Sequence, residues 1–281
     1  MHRKSKTASE IVNFEQQTGY RKDVYNMKVD LNADLGESFG NYKCGMDEEV
    51  IQYVSSVNVA CGFHASDPVV MAETVRLAKE KKAAVGAHPG YPDLVGFGRR
   101  NMAVSPKEVK AMVQYQIGAL QAFCKAAHVG LQHVKPHGAM YNMAAKDEKL
   151  AYAIAEGIYE VDSGLILLGL SGSQLIKAGE ETGLKVANEV FADRAYQADG
   201  TLVPRSQKGA VIEEEETAVR RTIRMVREGV VTSIDGTEIS IKADSVCLHG
   251  DGKKAVAFAR LLQEQLTEAG VSIVPITQVI A

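Results

Sequence analysis

Four of the seven histidines stand where a short strand-like run of residues gives way to a loop. They are His64, His88, His137 and His249. An imidazole can exchange a proton near neutral pH and is the commonest side-chain ligand for metal ions. If these runs are parallel strands of a barrel, their carboxyl ends meet at one face, where side chains distant in sequence converge. The pattern therefore predicts a polar pocket for acid–base or metal-assisted chemistry.

The first strand-like run is acidic on one face. Asp30, Asn32 and Asp34 alternate with apolar residues, and Glu37 follows three positions later. Alternate residues of a strand share one face. Inward-facing carboxylates are costly to bury without a metal, a base or a hydrogen-bonded partner, so Asp34 and Glu37 are predicted to be functional. The structural alternative is an internal ion-pair network that supports the barrel.

A metal site can be assembled from residues at three of these strand ends. Asp34, His64 and His88 form a histidine–carboxylate set compatible with zinc, manganese or iron. The sequence contains no close-spaced His-x-x-x-His motif on a predicted helix. Hydrogen bonding or acid–base chemistry without a metal therefore fits the same residues equally well.

A lysine stands at the end of the fourth strand-like run. Lys135 has the same parity as His133 and precedes Pro136, which cannot continue a central strand. A lysine inside a barrel mouth needs an anionic partner. It could neutralise a substrate carboxylate or phosphate, activate a carbonyl, or pair with Asp34 or Glu37. A purely structural ion pair is the alternative.

Further candidates stand on predicted loops. Arg194 and Arg205 occupy a long irregular segment, where arginine side chains commonly bind anions. Asp251 lies in a Gly-Asp-Gly turn before a helix, where backbone amides could hold a phosphate or an oxyanion, although turn geometry alone would also require those glycines. The sequence contains no Gly-x-x-x-x-Gly-Lys-Ser/Thr motif, which excludes a simple P-loop ATPase.

Short apolar runs alternate with amphipathic stretches along the chain, which is typical of repeated βα units. Strands are predicted at 29–34, 54–61, 83–87, 132–135, 165–170, 185–190, 245–249 and 272–276. Helices are predicted at 69–81, 107–127, 147–160, 173–182, 213–228 and 253–269. A small β-hairpin insertion is predicted at 230–243, around Asp235-Gly236. These elements fit one α/β barrel, which commonly takes roughly 250 residues, or a doubly wound sheet.

Composition favours a globular protein that acts on small molecules. Hydrophobic residues make up 46% and charged residues 24% of the chain, and the net charge of -3 provides no broad basic surface for nucleic acid or an anionic membrane. The four cysteines are far apart, which fits a reducing cytoplasm. No apolar run approaches the roughly 20 residues needed to span a bilayer.

Residues 1–26 are polar and basic and are predicted to be a disordered leader or extended start, with a single catalytic domain at 27–281.

Five ordered segments resemble the LamB/YcsF family: 29–37, 58–64, 86–89, 134–139 and 248–251. The resemblance extends from about residue 27 to residue 276. It implies a seven-stranded β/α barrel related to the glycoside hydrolase and deacetylase group. One of the eight predicted strands would then not close the barrel.

The same resemblance implies an activity and a set of roles. The activity is hydrolysis of 5-oxo-L-proline to L-glutamate, coupled to hydrolysis of ATP with magnesium, in a complex with 5-oxoprolinase subunits B and C. Lys135, with Arg194 or Arg205, would hold the substrate carboxylate or phosphate. The histidines at 64, 88 or 249, oriented by the aspartates at 34 or 251, would move protons to water and the ring nitrogen. The predicted substrate-binding residues are Asn32, Glu37, His137, Tyr141, Arg194, Arg205 and Asp251.

Two other functions fit the same residues. One is a metal-dependent deacetylase of N-acyl sugars, which a stoichiometric transition metal would favour. The other is a regulatory subunit that binds a small acid without turnover, which binding of 5-oxoproline unchanged by His64→Ala or Lys135→Ala would favour. The sequence leaves assembly into a homo-oligomer open.

Overall fold

Seven parallel strands close into a barrel in the computed structural model, which describes residues 27–248 and 253–281. The strands in this part of the chain are β1 (Met27–Leu35), β2 (Ser56–Ala60), β3 (Ala84–His88), β4 (Leu131–Val134), β5 (Ile166–Leu170), β6 (Lys185–Phe191), β7 (Val230–Thr232), β8 (Glu238–Ser240), β9 (Ser245–Leu248) and β10 (Val271–Ile273). β1 to β6 pair in sequence, and β9 pairs with both β6 and β1. The predicted α/β barrel is confirmed.

The eighth predicted strand does not close the barrel, as the family resemblance implied. β10 pairs only with the beginning of β1, in the register Met27↔Val271. It is shorter than the predicted range 272–276, because Pro275 lacks the N–H that a ladder needs and a short helix begins at Ile276. Ile276 packs against Ile166, Leu168 and Ala187, so the C-terminal segment covers the amino end of the barrel.

Helices surround the barrel between successive strands. In the described residues they are α1 (Asp47–Val50), α2 (Pro68–Lys81), α3 (Pro106–Ala127), α4 (Gly138–Ala144), α5 (Glu148–Val161), α6 (Gln174–Thr182), α7 (Glu215–Glu228), α8 (Lys253–Glu268) and α9 (Ile276–Val279). The six predicted helices correspond to α2, α3, α5, α6, α7 and α8. The other three helices are four to seven residues long, too short to show a helical period in the sequence.

The predicted hairpin is present outside the barrel. β7 and β8 pair antiparallel, with Val230 opposite Ser240, and the turn contains Gly236 at φ 90°. This positive φ explains why glycine follows Asp235 in the turn. None of the helices in the described ranges is long and apolar enough to cross a membrane.

The interior of the barrel is polar at its centre, whereas its outer surface is apolar under the helices. Asn32 Nδ2 donates to Glu189 Oε1 (3.1 Å) and to Ser245 Oγ (2.8 Å), and Asn58 Nδ2 donates to Asn32 Oδ1 (2.7 Å). Barrels of this type usually fill this space with branched apolar side chains. The polar filling extends from the amino end of β1 to its carboxyl end, where it meets a cavity.

Candidate active site

The carboxyl ends of β1, β3, β4 and β6 surround a cavity of 580 Å³. Seven of the predicted site residues form one connected group at this cavity, and all but Asn32 and His64 line it: Asn32, Asp34, Glu37, His64, His88, Lys135 and His137. They divide into two groups joined by Asp34. One group is built around an ammonium and the other around three imidazoles.

Lys135 is the centre of the first group. Its Nζ lies 2.9 Å from Asp34 Oδ1, 2.9 Å from Glu189 Oε1, 3.2 Å from Cys247 Sγ and 3.3 Å from Asn32 Oδ1. An ammonium has three N–H groups, so these partners use all of its donors. These five residues are the lysine cluster. Because Lys135 is only 3% exposed, its charge is balanced within the protein.

Glu189 is the second carboxylate of the lysine cluster and is fully buried. The hydroxyl of Tyr141 donates to Glu189 Oε2 at 2.6 Å, and Asn32 and Lys135 donate to Oε1. Tyr141, a predicted substrate-binding residue, also lines the cavity. Its hydroxyl is therefore used inside the protein, and its ring is the part that faces the cavity.

The charges of the lysine cluster are fixed near neutral pH. Burial alone would lower the pKa of Lys135, but the carboxylates of Asp34 and Glu189 raise it well above its usual range. Burial alone would raise the pKa of Asp34, but His88 and Lys135 hold it well below its usual range. Burial raises the pKa of the Cys247 thiol, which stays protonated. The cluster therefore supplies charge rather than an exchangeable proton.

The second group, the imidazole cluster, consists of Glu37, His64, His88 and His137. Glu37 Oε1 lies 3.2 Å from His64 Nε2 and 3.5 Å from His137 Nδ1, and His137 Nδ1 lies 2.9 Å from His88 Nε2. The four residues offer ligand atoms that all lie within 4.8 Å of one another. Imidazole nitrogen and carboxylate oxygen suit zinc, iron or manganese, so this cluster could hold a divalent metal ion.

Backbone carbonyls orient two of the three imidazole rings. His88 Nδ1 lies 2.7 Å from the carbonyl oxygen of Lys135, and His137 Nε2 lies 2.8 Å from that of Phe97. The third ring, that of His64, stacks on His137 with centroids 3.7 Å apart and planes 2° from parallel. The ring of His88 stands at 88° to both.

Glycines in the loop after β3 allow the backbone to pack against these rings. A Cβ at Gly98, whose φ is +62°, would lie 2.7 Å from His64 Cβ and 2.8 Å from His137 Cδ2. A Cβ at Gly90 would lie 2.6 Å from His64 Nδ1. Either side chain would displace the stacked pair, so both positions require glycine.

Two of the imidazoles are neutral near pH 7. Burial, with the neighbouring rings of His137 and His88, lowers the pKa of His64 well below its usual range. Burial also lowers the pKa of His137 to about 3. Each of these rings therefore has one N–H group and one nitrogen lone pair.

Asp34 connects the two clusters. Its Oδ1 accepts from Lys135 and, at 2.8 Å, from Asn58 Nδ2, whereas its Oδ2 lies 3.3 Å from His88 Nε2. Asn58 in turn lies 2.7 Å from His133 Nε2 through its own side-chain oxygen. Asp34 also lines the cavity and is 19% exposed. One carboxylate oxygen is thus held by the barrel, and the other faces the imidazole cluster.

The rim of the cavity is cationic. Arg99, Arg194 and Arg205 line it, although Arg194 already donates to the carbonyl oxygens of Val203 (2.6 Å) and Ala210 (3.3 Å). Burial lowers the pKa of Arg194 to about 10, so it remains charged near neutral pH. His249 and Asp251 lie outside the described residues, so their predicted roles stay predictions.

A third polar group, the serine cluster, lies at the amino end of the barrel. Asp30 Oδ1 accepts from Ser55 Oγ (2.7 Å) and Ser56 Oγ (2.6 Å), and Asp30 Oδ2 accepts from Ser245 Oγ. The carboxyl group is fully buried, and burial raises its pKa to about 6. None of these residues lines the cavity, so the cluster is structural.

The predicted site omitted Glu189, Asn58, His133 and Cys247 inside the barrel and Arg99 at the rim. Glu189 stands near the end of β6, where the strand-end rule that selected Asp34 would also have selected it. Asn58 and His133 project into the barrel from β2 and β4. His133 shares the parity of Lys135 on one strand, but the meeting of Asn58 and His133 with Asp34 becomes visible only once the register between strands is known.

Comparison with known proteins agrees with this architecture. The chain is 63% identical over 252 residues to the A subunit of 5-oxoprolinase from Clostridium beijerinckii, covering 90% of this chain and 99% of that protein. It is 59% identical to the A subunit of 5-oxoprolinase from Bacillus subtilis, covering 89% and 98% of the two chains.

Among solved structures, the lactam utilization protein of Thermus thermophilus superposes with a TM-score of 0.84 at 51% identity. The match covers 88% of this chain and 99% of that one. The model of the LamB/YcsF family matches residues 29–281. On this match and these identities, the chain belongs to the LamB/YcsF family.

Proposed function

We propose that this chain is the A subunit of a 5-oxoprolinase and hydrolyses 5-oxo-L-proline to L-glutamate, coupled to hydrolysis of ATP, together with subunits B and C. The observation that carries the proposal is the cavity. It has carboxylates and imidazoles at its inner end and arginines at its rim, in a chain 63% identical to the A subunit of a 5-oxoprolinase. Such an arrangement suits a small anionic substrate with a hydrolysable amide.

The chemistry explains the need for ATP. Water must attack a carbonyl carbon that amide resonance stabilises, and the ring nitrogen must leave with a proton. Transfer of the terminal phosphoryl group of ATP to the carbonyl oxygen would weaken that resonance and release ADP. Water would then add to the carbon, the ring nitrogen would leave with a proton to give an acyl phosphate of glutamate, and a second water would release phosphate from it. The protein must therefore bind negative charge and deliver water to the carbonyl.

The cationic rim is suited to the negative charge. Arg99 and Arg205 line the cavity from two different loops, and the exposed Lys146 lines it from beyond α4. Guanidinium groups bind carboxylate and phosphate oxygens in a bidentate manner. We assign them to the substrate carboxylate and to the phosphates of ATP bound with magnesium. Because the sequence lacks a P-loop, subunits B and C are expected to supply the rest of the nucleotide site.

The inner end of the cavity is suited to the attacking water. We assign Asp34 Oδ2 to position this water by accepting a hydrogen bond from it, since it is the oxygen of Asp34 that faces the imidazole cluster. Lys135 has no spare donor for a substrate, so its role is to hold Asp34 and Glu189 in place. The four cysteines are free thiols, which supports a cytoplasmic enzyme.

The test is reconstitution. The purified chain, with and without subunits B and C, is incubated with ATP, magnesium and 5-oxoproline, and glutamate and phosphate are measured. We expect equal amounts of both products only when all three subunits are present. Full activity of the isolated chain would refute the requirement for three subunits. Acetate release from N-acetylated sugars by the chain alone would favour the deacetylase instead.

A further inference from the structure

Two nitrogen lone pairs face each other inside the imidazole cluster. A carbonyl oxygen only accepts hydrogen bonds, so His88 Nδ1, at 2.7 Å from one carbonyl, and His137 Nε2, at 2.8 Å from another, must carry the N–H groups of their rings. If both rings are neutral, the remaining nitrogens, His88 Nε2 and His137 Nδ1, carry lone pairs. They lie only 2.9 Å apart.

Carboxylate oxygens, which also lack hydrogen, adjoin this pair. Asp34 Oδ2 lies 3.3 Å from His88 Nε2, and Glu37 Oε1 lies 3.5 Å from His137 Nδ1. A shared proton could relieve one of these contacts but not all of them. A divalent cation placed among these two nitrogen atoms and two oxygen atoms would relieve every one of the contacts.

His64 cannot share the ion in the observed arrangement. A metal ion lies in the plane of the imidazole that binds it, along the lone pair of the ring nitrogen. The rings of His64 and His137 are parallel to within 2° and stacked at 3.7 Å, so an ion in the plane of one is out of the plane of the other. His64 Nε2, at 3.2 Å from Glu37 Oε1, is placed instead to donate a hydrogen bond to that carboxylate.

We propose that His88 Nε2, His137 Nδ1 and Glu37 bind one divalent transition-metal ion, and that His64 is a positioning residue that orients Glu37. Tetrahedral coordination at the usual zinc–nitrogen distance separates ligand atoms by about 3.3 Å, and the observed separations of 2.9 and 3.5 Å bracket this value. When bound, such an ion would polarise a carbonyl oxygen or lower the pKa of a water molecule. The inference adds a cofactor to the proposed function but does not depend on the substrate.

The set differs from the one expected from the sequence, which was Asp34, His64 and His88. His88 is common to both. Asp34 lies beside the proposed ion through its contact with His88, while Lys135 and Asn58 hold its other oxygen.

The test is direct measurement of bound metal. The full chain is produced with a histidine-free affinity tag, stripped with a chelator and titrated with Zn²⁺ and with Co²⁺ at neutral pH. Bound metal is counted by mass spectrometry after gel filtration, and the visible spectrum of Co²⁺ reports nitrogen coordination. We expect one ion per chain.

Single substitutions separate the ligands from the positioning residue. We expect His88→Gln and His137→Gln to weaken zinc binding more than about 100-fold, and His64→Gln to weaken it about 10- to 100-fold while still binding one ion. His128→Asn is the matched control, because His128 is exposed at a left-handed helix end that asparagine also tolerates. Circular dichroism and melting curves identify any variant that fails to fold.

Several outcomes would overturn the inference. Wild-type chain that retains no zinc or cobalt would show that a shared proton bridges the two imidazoles instead. Equal loss of binding in His64→Gln and His88→Gln, both folded, would make His64 a ligand and reject the stacking argument. Because metal is counted without any substrate, a failure here is distinct from a failure of the 5-oxoproline assay.

Discussion

Asp30 and Asp34 stand four residues apart on the same face of β1, and both project into the barrel, but their surroundings differ. Asp30 accepts hydrogen bonds from three serine hydroxyls and is fully buried. Asp34 contacts an ammonium and an imidazole and borders the cavity. Burial raises the pKa of Asp30, whereas charged neighbours hold the pKa of Asp34 well below its usual range.

The difference distinguishes a buried carboxylate with a structural role from one with a functional role in the same barrel. The serine cluster satisfies both oxygens of Asp30 with neutral donors, so no contact is left for a ligand. In Asp34, one oxygen is satisfied by Lys135 and Asn58, and the other borders the imidazole cluster, 3.3 Å from His88 Nε2. A buried carboxylate that is only half satisfied is therefore the better guide to a site than burial alone.

The largest effect on stability and turnover is expected when the ammonium of Lys135 is removed. Lys135→Met leaves Asp34 and Glu189 buried without a cation, so we expect a loss of about 3–5 kcal/mol in the free energy of unfolding. Turnover of 5-oxoproline by the reconstituted complex should fall at least about 10³-fold, because Asp34 loses its fixed position. Urea unfolding and the glutamate assay measure the two effects.

The matched control breaks an ion pair at the surface. Lys177 Nζ lies 2.9 Å from Glu148 Oε1, and both side chains are about half exposed. Lys177→Met should change the free energy of unfolding by no more than about 1 kcal/mol and leave turnover unchanged. Similar losses in the two variants would mean that the lysine cluster is no different from a surface pair.

The second prediction makes the same substitution, aspartate to asparagine, at two positions of β1. Asp34→Asn should lower kcat about 10³-fold, because the neutral amide removes the charge that pairs with Lys135 and orients the attacking water. Asp30→Asn should leave kcat within a small factor of the wild-type value, since Asp30 does not reach the cavity. Steady-state kinetics of the two variants decides the comparison, and an equal loss in both would contradict it.

The third prediction concerns pH. The pKa of Asp30 is near 3.8 in the unfolded chain and about 6 in the folded one, so between these values the folded chain binds more protons. Its contribution therefore makes the free energy of unfolding fall as pH rises from about 4 to about 6, by up to about 3 kcal/mol. Asp30→Asn should remove this slope in urea unfolding at a series of pH values. Parallel curves for wild type and variant would refute it.

Much of this arrangement could be predicted from the sequence because it depends on strand order and parity. The alternation of Asp30, Asn32 and Asp34 sets one face of β1, and the histidines at strand ends had to meet if the strands were parallel. The pairing of Lys135 with Asp34 was among the predicted alternatives and is observed at 2.9 Å.

What could not be predicted depends on register and loop conformation. Glu189 is 54 residues from Lys135 in the sequence, and only closure of the barrel brings it within 2.9 Å. The tautomer of His137 depends on the carbonyl of Phe97, and Phe97 itself has a positive φ in its loop. The stack of His64 on His137 requires the bare backbone of Gly98, a close approach that no periodicity reveals.

The smallest predicted effect tests how far the lysine cluster extends. Tyr141→Phe removes the hydroxyl that donates to Glu189 Oε2 at 2.6 Å, while Lys135 and Asn32 continue to hold Oε1. We expect a loss of about 1.5 kcal/mol in the free energy of unfolding, the lower end of the range for one hydrogen bond to a charged group, and at most about a tenfold loss of turnover. In the control Tyr91→Phe, the lost contact is a weak one to a methionine sulfur at 3.7 Å, so stability should change less. If Tyr141→Phe were as damaging to turnover as Asp34→Asn, the tyrosine would have to act on the substrate directly rather than through Glu189.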